Sequence, residues 1–244
     1  AFYIFDISPT TDVMAVVIVG GTESGDTTIR IIDLVSGQQT HEFDRGTEVY
    51  SRPAFSPNGG MLAYCWGGYS GNSGNQGNVN NVIEIWNTTT WTSTHIIQDQ
   101  ECGAFSSLIF SPDNQKLVMM SVGDSVLRMW DVNTWSLVAD TTYASLFGAL
   151  DFSPDGSYIA LAGYDQDQVA ILSGNDLSGI TNISVNQNTA VEFSPNGDTL
   201  AVGSGSDVLT LFYTSNWTQK YQVSLDASLG VEAMWDLIFI ENGS

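Results

Sequence analysis

Basic residues are scarce in this sequence. Six Lys and Arg stand against 27 Asp and Glu, a formal charge of −21 at pH 7. A phosphate backbone is held chiefly by Lys and Arg that displace its counterions, and six cations scattered along the chain do not build such a surface. Nucleic acid is therefore not an expected partner, and neither is an anionic membrane surface. Long apolar runs are missing as well. The longest aliphatic stretch, Val13 to Val19, is far short of the roughly 20 residues a bilayer span needs, so no membrane insertion is expected. Only 14% of residues are charged, so the acidity reflects missing Lys and Arg more than abundant carboxylates, and the polar surface must be mainly Asn, Gln, Ser, Thr and Gly. That composition points to an extracellular or cell-envelope protein, with the cytoplasm as the alternative. The chain opens on Ala1 rather than Met and reads as processed or excerpted.

Catalytic signatures are absent too. The sequence has no Gly-x-Ser-x-Gly elbow, no His-Glu-x-x-His, no phosphate loop and no Gly-x-Gly-x-x-Gly. Apolar residues make up 43% of the 244 positions, enough for a sizeable core, but they show no helical periodicity.

What is present is a repeat, and internal repeats decide a fold before anything else does. Phe55-Ser56-Pro57-Asn58, Phe110-Ser111-Pro112-Asp113, Phe152-Ser153-Pro154-Asp155 and Phe193-Ser194-Pro195-Asn196 share one core, and Ile7-Ser8-Pro9-Thr10 is a degenerate first copy. Proline fixes φ and Asn or Gly tolerates the left-handed region, so each segment reads as a tight turn between two apolar runs. The runs that follow, such as Met61 to Trp66 and Tyr158 to Ala162, have strand character. A second landmark comes next: Asp26, Asn80, Asp124, Asp167 and Asp207 are expected in a turn before a third strand. Six residues on, Ile32, Trp86, Trp130, Ser173 and Tyr213 are expected at that strand's end. A variable fourth strand completes each unit.

These landmarks predict an all-β fold, a β-propeller of four-stranded antiparallel blades in a single domain spanning 1–244. Five repeats (about 1–46, 47–102, 103–143, 144–187 and 188–228) are complete, and 229–244 form a partial sixth. The five Ser-Pro turns, the five turn Asp or Asn residues and the dipeptides Trp86-Asn87 and Trp130-Asp131 resemble the WD40-type β-propeller repeat family in a divergent, bacterial-like form. The Gly-His dipeptide that usually opens such a repeat is missing throughout, so that family's buried Asp-His-Ser-Trp tetrad cannot form. The resemblance implies a non-enzymatic scaffold that presents loops and edges to other protein chains and needs no cofactor.

Several side chains invite a more specific chemistry. His41 and His95 lie in the fourth strands of repeats one and two at corresponding places, which separates them and favours a structural role over a metal site or catalytic triad. Asp165-Gln166-Asp167 offers too few carboxylates for calcium, and Asp167 is the repeat's own turn residue. Asp6, Asp151 and Glu192 each precede the residue before Ser-Pro. They either line an acidic central channel or serve neighbouring backbone. Cys65 and Cys102 are placed for a disulfide, with a free buried thiol as the alternative. No metal site or catalytic residue is expected.

The clearest break in the period is the Asn- and Gly-rich insertion 67–81. Tyr69 offers a stacking face there, and Asn72, Asn75, Gln76 and Asn78 offer paired donors and acceptors. Such a loop suits a sugar or a polar protein surface, and a flexible spacer is the plainer reading. At the other end, Leu237-Ile238-Phe239 matches Leu108-Ile109-Phe110, so Met234, Trp235, Leu237 and Phe239 are expected on an unpaired first strand of a sixth blade. That makes the chain either an excerpt of a six- or seven-bladed protein or a protomer whose terminal strand another copy completes.

Overall fold

In the computed structural model of the protein, the residues described are 2–19, 28–44, 51–66, 82–98, 107–121, 125–143, 149–163, 167–205, 208–224, 237 and 239. Every regular element among them is a β-strand, and the twenty strands form five four-stranded antiparallel sheets. Sheet 1 holds β1 (Phe2–Ile7), β2 (Val13–Val19), β3 (Thr28–Asp33) and β4 (Gln39–Asp44). Sheet 2 holds β5 (Ala54–Phe55), β6 (Met61–Trp66), β7 (Val82–Asn87) and β8 (Thr92–Gln98). Sheet 3 is built from β9 (Ser107–Phe110), β10 (Lys116–Ser121), β11 (Val126–Asp131) and β12 (Leu137–Thr142). Sheet 4 comprises β13 (Leu150–Phe152), β14 (Tyr158–Ala162), β15 (Gln168–Ser173) and β16 (Gly179–Ser184). Sheet 5 comprises β17 (Asn188–Phe193), β18 (Thr199–Ser204), β19 (Val208–Tyr213) and β20 (Gln219–Ser224). Within each sheet the strands pair in chain order, which gives the blade of a propeller-like fold.

The chain divides into two compact units, one of residues 1–110 and 114–137, the other of 111–113 and 138–244. In the first unit, Phe55, Leu62, Tyr64 and Trp86 of sheet 2 pack on Ala15, Val17, Ile29 and Ile31 of sheet 1. Leu108, Phe110, Leu117 and Trp130 of sheet 3 repeat this arrangement on Ala63, Ile83 and Ile85 of sheet 2. In the second unit, Phe193, Leu200 and Phe212 of sheet 5 pack on Ala160, Val169 and Ile171 of sheet 4. Alternating side chains along each strand supply both faces, so period-two apolar residues become two packed surfaces per sheet.

All five Ser-Pro segments are turns between the first and second strands. Their serine hydroxyls are buried hubs. Ser153 Oγ donates to Asp155 Oδ1 at 2.7 Å and accepts from Tyr158 N at 2.9 Å, and Ser56 and Ser194 do the same with Asn58 and Met61 and with Asn196 and Thr199. Gly59, Gly156 and Gly197 then take positive φ, near +70°, and Asn114 stands in for glycine in repeat three with φ +60°.

Ser173 and Tyr213 do end β15 and β19, but they are not the register equivalents of Ile32, Trp86 and Trp130. Ile32, Trp86 and Trp130 pair with Met14, Leu62 and Leu117, the second residues of their strands. The residues that pair with Ile159 and Leu200 in this way are Leu172 and Phe212, not Ser173 and Tyr213. Leu172 and Phe212 stand five residues after Asp167 and Asp207, so a fixed offset of six overshoots by one. Burial agrees: Leu172 and Phe212 lie in the core, whereas Tyr213 is exposed.

Candidate functional site

Two of the three carboxylates that suggested a channel, Asp6 and Asp151, bond to the backbone of a neighbouring blade. Asp6 Oδ2 accepts the Phe55 amide of the next blade at 2.7 Å, and its Oδ1 accepts Ile7 N at 2.9 Å. Asp151 Oδ2 accepts the Phe193 amide at 2.7 Å in the same way. Each acid reaches from the first strand of one blade to the backbone of the next, just before its Ser-Pro turn. Burial raises both pKa values against the lowering effect of these amides, and Asp151 is pushed up to about 6. Glu192 holds the same place in sheet 5.

The two histidines also stand at blade junctions, His41 between sheets 1 and 2 and His95 between sheets 2 and 3. His41 on β4 lies 5.3 Å from the Trp91 ring of the following blade, and His95 on β8 stacks on Trp135 at 5.1 Å and 16°. Asp167 precedes β15 and its Oδ1 accepts Gln187 N at 3.1 Å, a backbone role. Asp165 and Gln166 lie outside the described residues, as do Asp26, Asn80, Asp124 and Asp207. Among the described residues no group of three or more His, Cys, Asp or Glu is placed to hold a metal ion, and no helix is long and apolar enough to cross a membrane.

The binding-loop residues Tyr69, Asn72, Asn75, Gln76 and Asn78 also lie outside the described residues. What is described is the foot from which that loop leaves β6 and to which it returns at β7. There Tyr64 donates its hydroxyl to Glu84 Oε2 at 2.7 Å, and Trp66 donates its indole N–H to the same oxygen at 3.0 Å. Tyr64 is fully buried, Glu84 is 3% exposed and Trp66 is half-buried. The sequence reading missed this cluster. Its signal was the alternation along β6, which puts Tyr64 and Trp66 on one face, opposite Glu84 and Val82 in the β7 register. The arrangement is a carboxylate that accepts from two neutral donors, one of them the indole of half-buried Trp66.

Cys65 is disulfide-bonded, and among the described residues no cysteine is free; Cys102, the other cysteine of the chain, lies outside them. Of the C-terminal assembly residues, Met234 and Trp235 lie outside them too. Leu237 and Phe239 are half-buried, and neither is assigned to a strand.

A third set of turns went unread in the sequence. Gly37, Trp91, Trp135, Leu177 and Trp217 occupy one equivalent position between third and fourth strands, all with φ between 52° and 69°. In each, the amide donates to the carbonyl four residues earlier, as Trp135 N does to Asp131 O at 2.7 Å. Asp33, Asn87 and Asp131 cap these turns, each Oδ1 accepting backbone amides two or three residues on. The Thr-Trp pairs at 90–91 and 134–135 were the available signal.

Compared with known proteins, the sequence matches no protein-family model and no curated protein. Its propeller-like blades define a class of architecture, and the reading of function rests on the residues themselves.

Proposed function

We propose that this chain is a non-enzymatic interaction module of the WD40-like propeller type that works outside the cytoplasm. One observation carries the reading: the side chains that looked most able to do chemistry, Asp6, Asp151, His41, His95 and Asp167, all bond or stack on the fold itself. Loops and blade edges are left as the recognition surface, and no cofactor is called for. The disulfide-bonded state of Cys65 supports an oxidising compartment. Assembly of copies through Met234, Trp235, Leu237 and Phe239 is the finer form of the proposal. Sedimentation of the full chain should show self-association that is lost on truncation after Leu229, with the far-ultraviolet spectrum of the five blades retained. A truncated chain that still associates removes the C-terminal strand from the reading.

The foot of loop 67–81 favours a second reading, a carbohydrate-binding propeller. Half-buried Trp66, with its N–H fixed on Glu84, offers a ring face next to a polar anchor. Glycan-array binding that disappears on deleting residues 68–79 and weakens in Trp66→Ala would establish it. An array with no hits sinks this second reading.

A further inference from the structure

Four Asn-x-Ser/Thr sequons occur in the chain, at Asn87, Asn182, Asn216 and Asn242, and this motif is the acceptor of N-linked glycans in chains that enter a secretory compartment. In a sequence so rich in Asn, Ser and Thr the motif by itself selects none of them. The fold separates them. Asn242 lies outside the described residues. Asn87 is half-buried, and its Oδ1 is taken up as a cap by the amides of Thr89 and Thr90 and by the Thr90 hydroxyl. Asn182 is exposed but sits within β16, paired with Ala170 of β15, so a transferase would have to work on a hydrogen-bonded strand.

Asn216 is placed differently. It stands in the turn between β19 and β20, and both it and Thr218 are exposed. Trp217 between them is half-buried; its amide donates to Tyr213 O at 2.8 Å, and its ring packs edge-on against Tyr158 at 5.2 Å. The middle residue of the sequon thus anchors the turn and leaves the two outer ones in solvent. Their exposure does not depend on what packs against the faces of sheet 5. Sheet 2 has sheet 1 on one face and sheet 3 on the other, and its equivalents of Asn216 and Thr218, Thr90 and Thr92, are exposed all the same.

The turn uses only half of the Asn216 carboxamide. Its Oδ1 accepts from Thr218 N at 3.1 Å and from the Thr218 hydroxyl at 2.7 Å, while Nδ2 makes no hydrogen bond to a described residue. In repeat four the same two bonds run from Ser178 N and Oγ to Asp176 Oδ1, at 3.1 and 2.7 Å. An acceptor oxygen is all this turn requires, so a substituent on the nitrogen displaces nothing. We propose that Asn216 is an N-glycan acceptor. In the transfer, Nδ2 bonds to the anomeric carbon of a lipid-pyrophosphate-linked oligosaccharide and loses one proton, and the bond from that carbon to the pyrophosphate breaks, its electron pair leaving with the phosphate. Oδ1 is untouched, so both turn bonds persist in the product. The proposal rests on the reading above that the chain works outside the cytoplasm.

The test directs the full chain through the secretory pathway of a eukaryotic cell and maps its peptides by mass spectrometry before and after enzymatic deglycosylation. The peptide holding Asn216 should carry a glycan. Thr218→Ala and Asn216→Asp should each lose it, and Asn216→Asp should keep the wild-type melting temperature, because repeat four folds with aspartate in this place. A secreted, folded chain with Asn216 bare overturns the proposal. Protein recovered from its own source then separates the site from the location. A glycan on Asn216 there supports both readings. Protein found outside the cell with Asn216 bare overturns the acceptor role alone, and protein found only in the cytoplasm overturns the reading of location and the use of the site with it.

Discussion

At the scale of single residues, the tightest constraints are where two turns of one blade meet. The amide of Gly174, just past the third strand of sheet 4, donates to Ser157 O at 2.9 Å, tying the turn after β15 to the Ser-Pro turn. Leu34, Thr88, Val132 and Thr214 make the equivalent bond in the other blades. At Gly174 an added Cβ would overlap the carbonyl oxygen of Gly156, which is backbone and cannot swing aside. Five residues on, Gly179 has nothing within 4 Å of such a Cβ. Gly174→Ala should therefore cost roughly 1–3 kcal/mol, as overpacking does, while Gly179→Ala should be near neutral or slightly stabilising. Chemical denaturation of the two variants checks this, and equal midpoints would show that the turn gives way more easily than the geometry implies.

At the scale of elements, the Ser-Pro turns were legible because their chemistry is local: a φ-fixed proline, a hydroxyl hub and a left-handed Gly or Asn all lie within five residues. The turns after the third strand were not legible. Trp91, Trp135, Trp217 and Leu177 adopt positive φ without the residue types that signal it, and such a conformation costs bulky residues of order 1 kcal/mol. At Trp91 and Trp135 a cap fixes the turn on one side and an aromatic neighbour fixes the ring on the other; at Trp217 the aromatic neighbour is shown. His41 does this for Trp91, His95 for Trp135 and Tyr158 for Trp217. These partners come from other strands, and for His41 and His95 from the preceding blade, so no local window contains them. Glu84 was hidden for the same reason, since its donors lie 18 and 20 residues away. Asn87 accepts the amides of Thr89 and Thr90 and the Thr90 hydroxyl. Its replacement by Ala should lower stability by about 1 kcal/mol, the usual cost of a lost cap. A thermal melt reads this out, and an unchanged midpoint would mean the Trp91 contacts hold the turn alone.

At the scale of the whole molecule, acidity acts in two directions. Asp151, pushed up to about 6, and Asp6, raised in the same sense, favour the folded state when protonated. Their contribution is complete below the ordinary carboxyl value of about 3.9 and is lost as pH climbs through their raised values, about 6 for Asp151. Asp33, Asp131, Asp155 and Asp198 are held low by hydrogen bonds from Ser36, Thr134, Ser153 and Thr199, so what they contribute is present above that ordinary value and disappears in stronger acid. The melting temperature should thus rise from pH 7.5 to pH 5, and Asp151→Asn should remove part of that rise; an identical pH profile in the variant would exclude the strut as its source. Sheet count and strand order were readable because spacing repeats over the whole chain, whereas blade-to-blade struts were not, since an acid ahead of Ser-Pro reads equally as channel or brace until its partner is seen. Among the described residues every hydrogen-bonded strand pair lies inside one repeat, with no strand lent to the next. The sheet is therefore also a unit of inheritance: duplicating or deleting one stretch of gene adds or removes a whole blade without cutting a sheet.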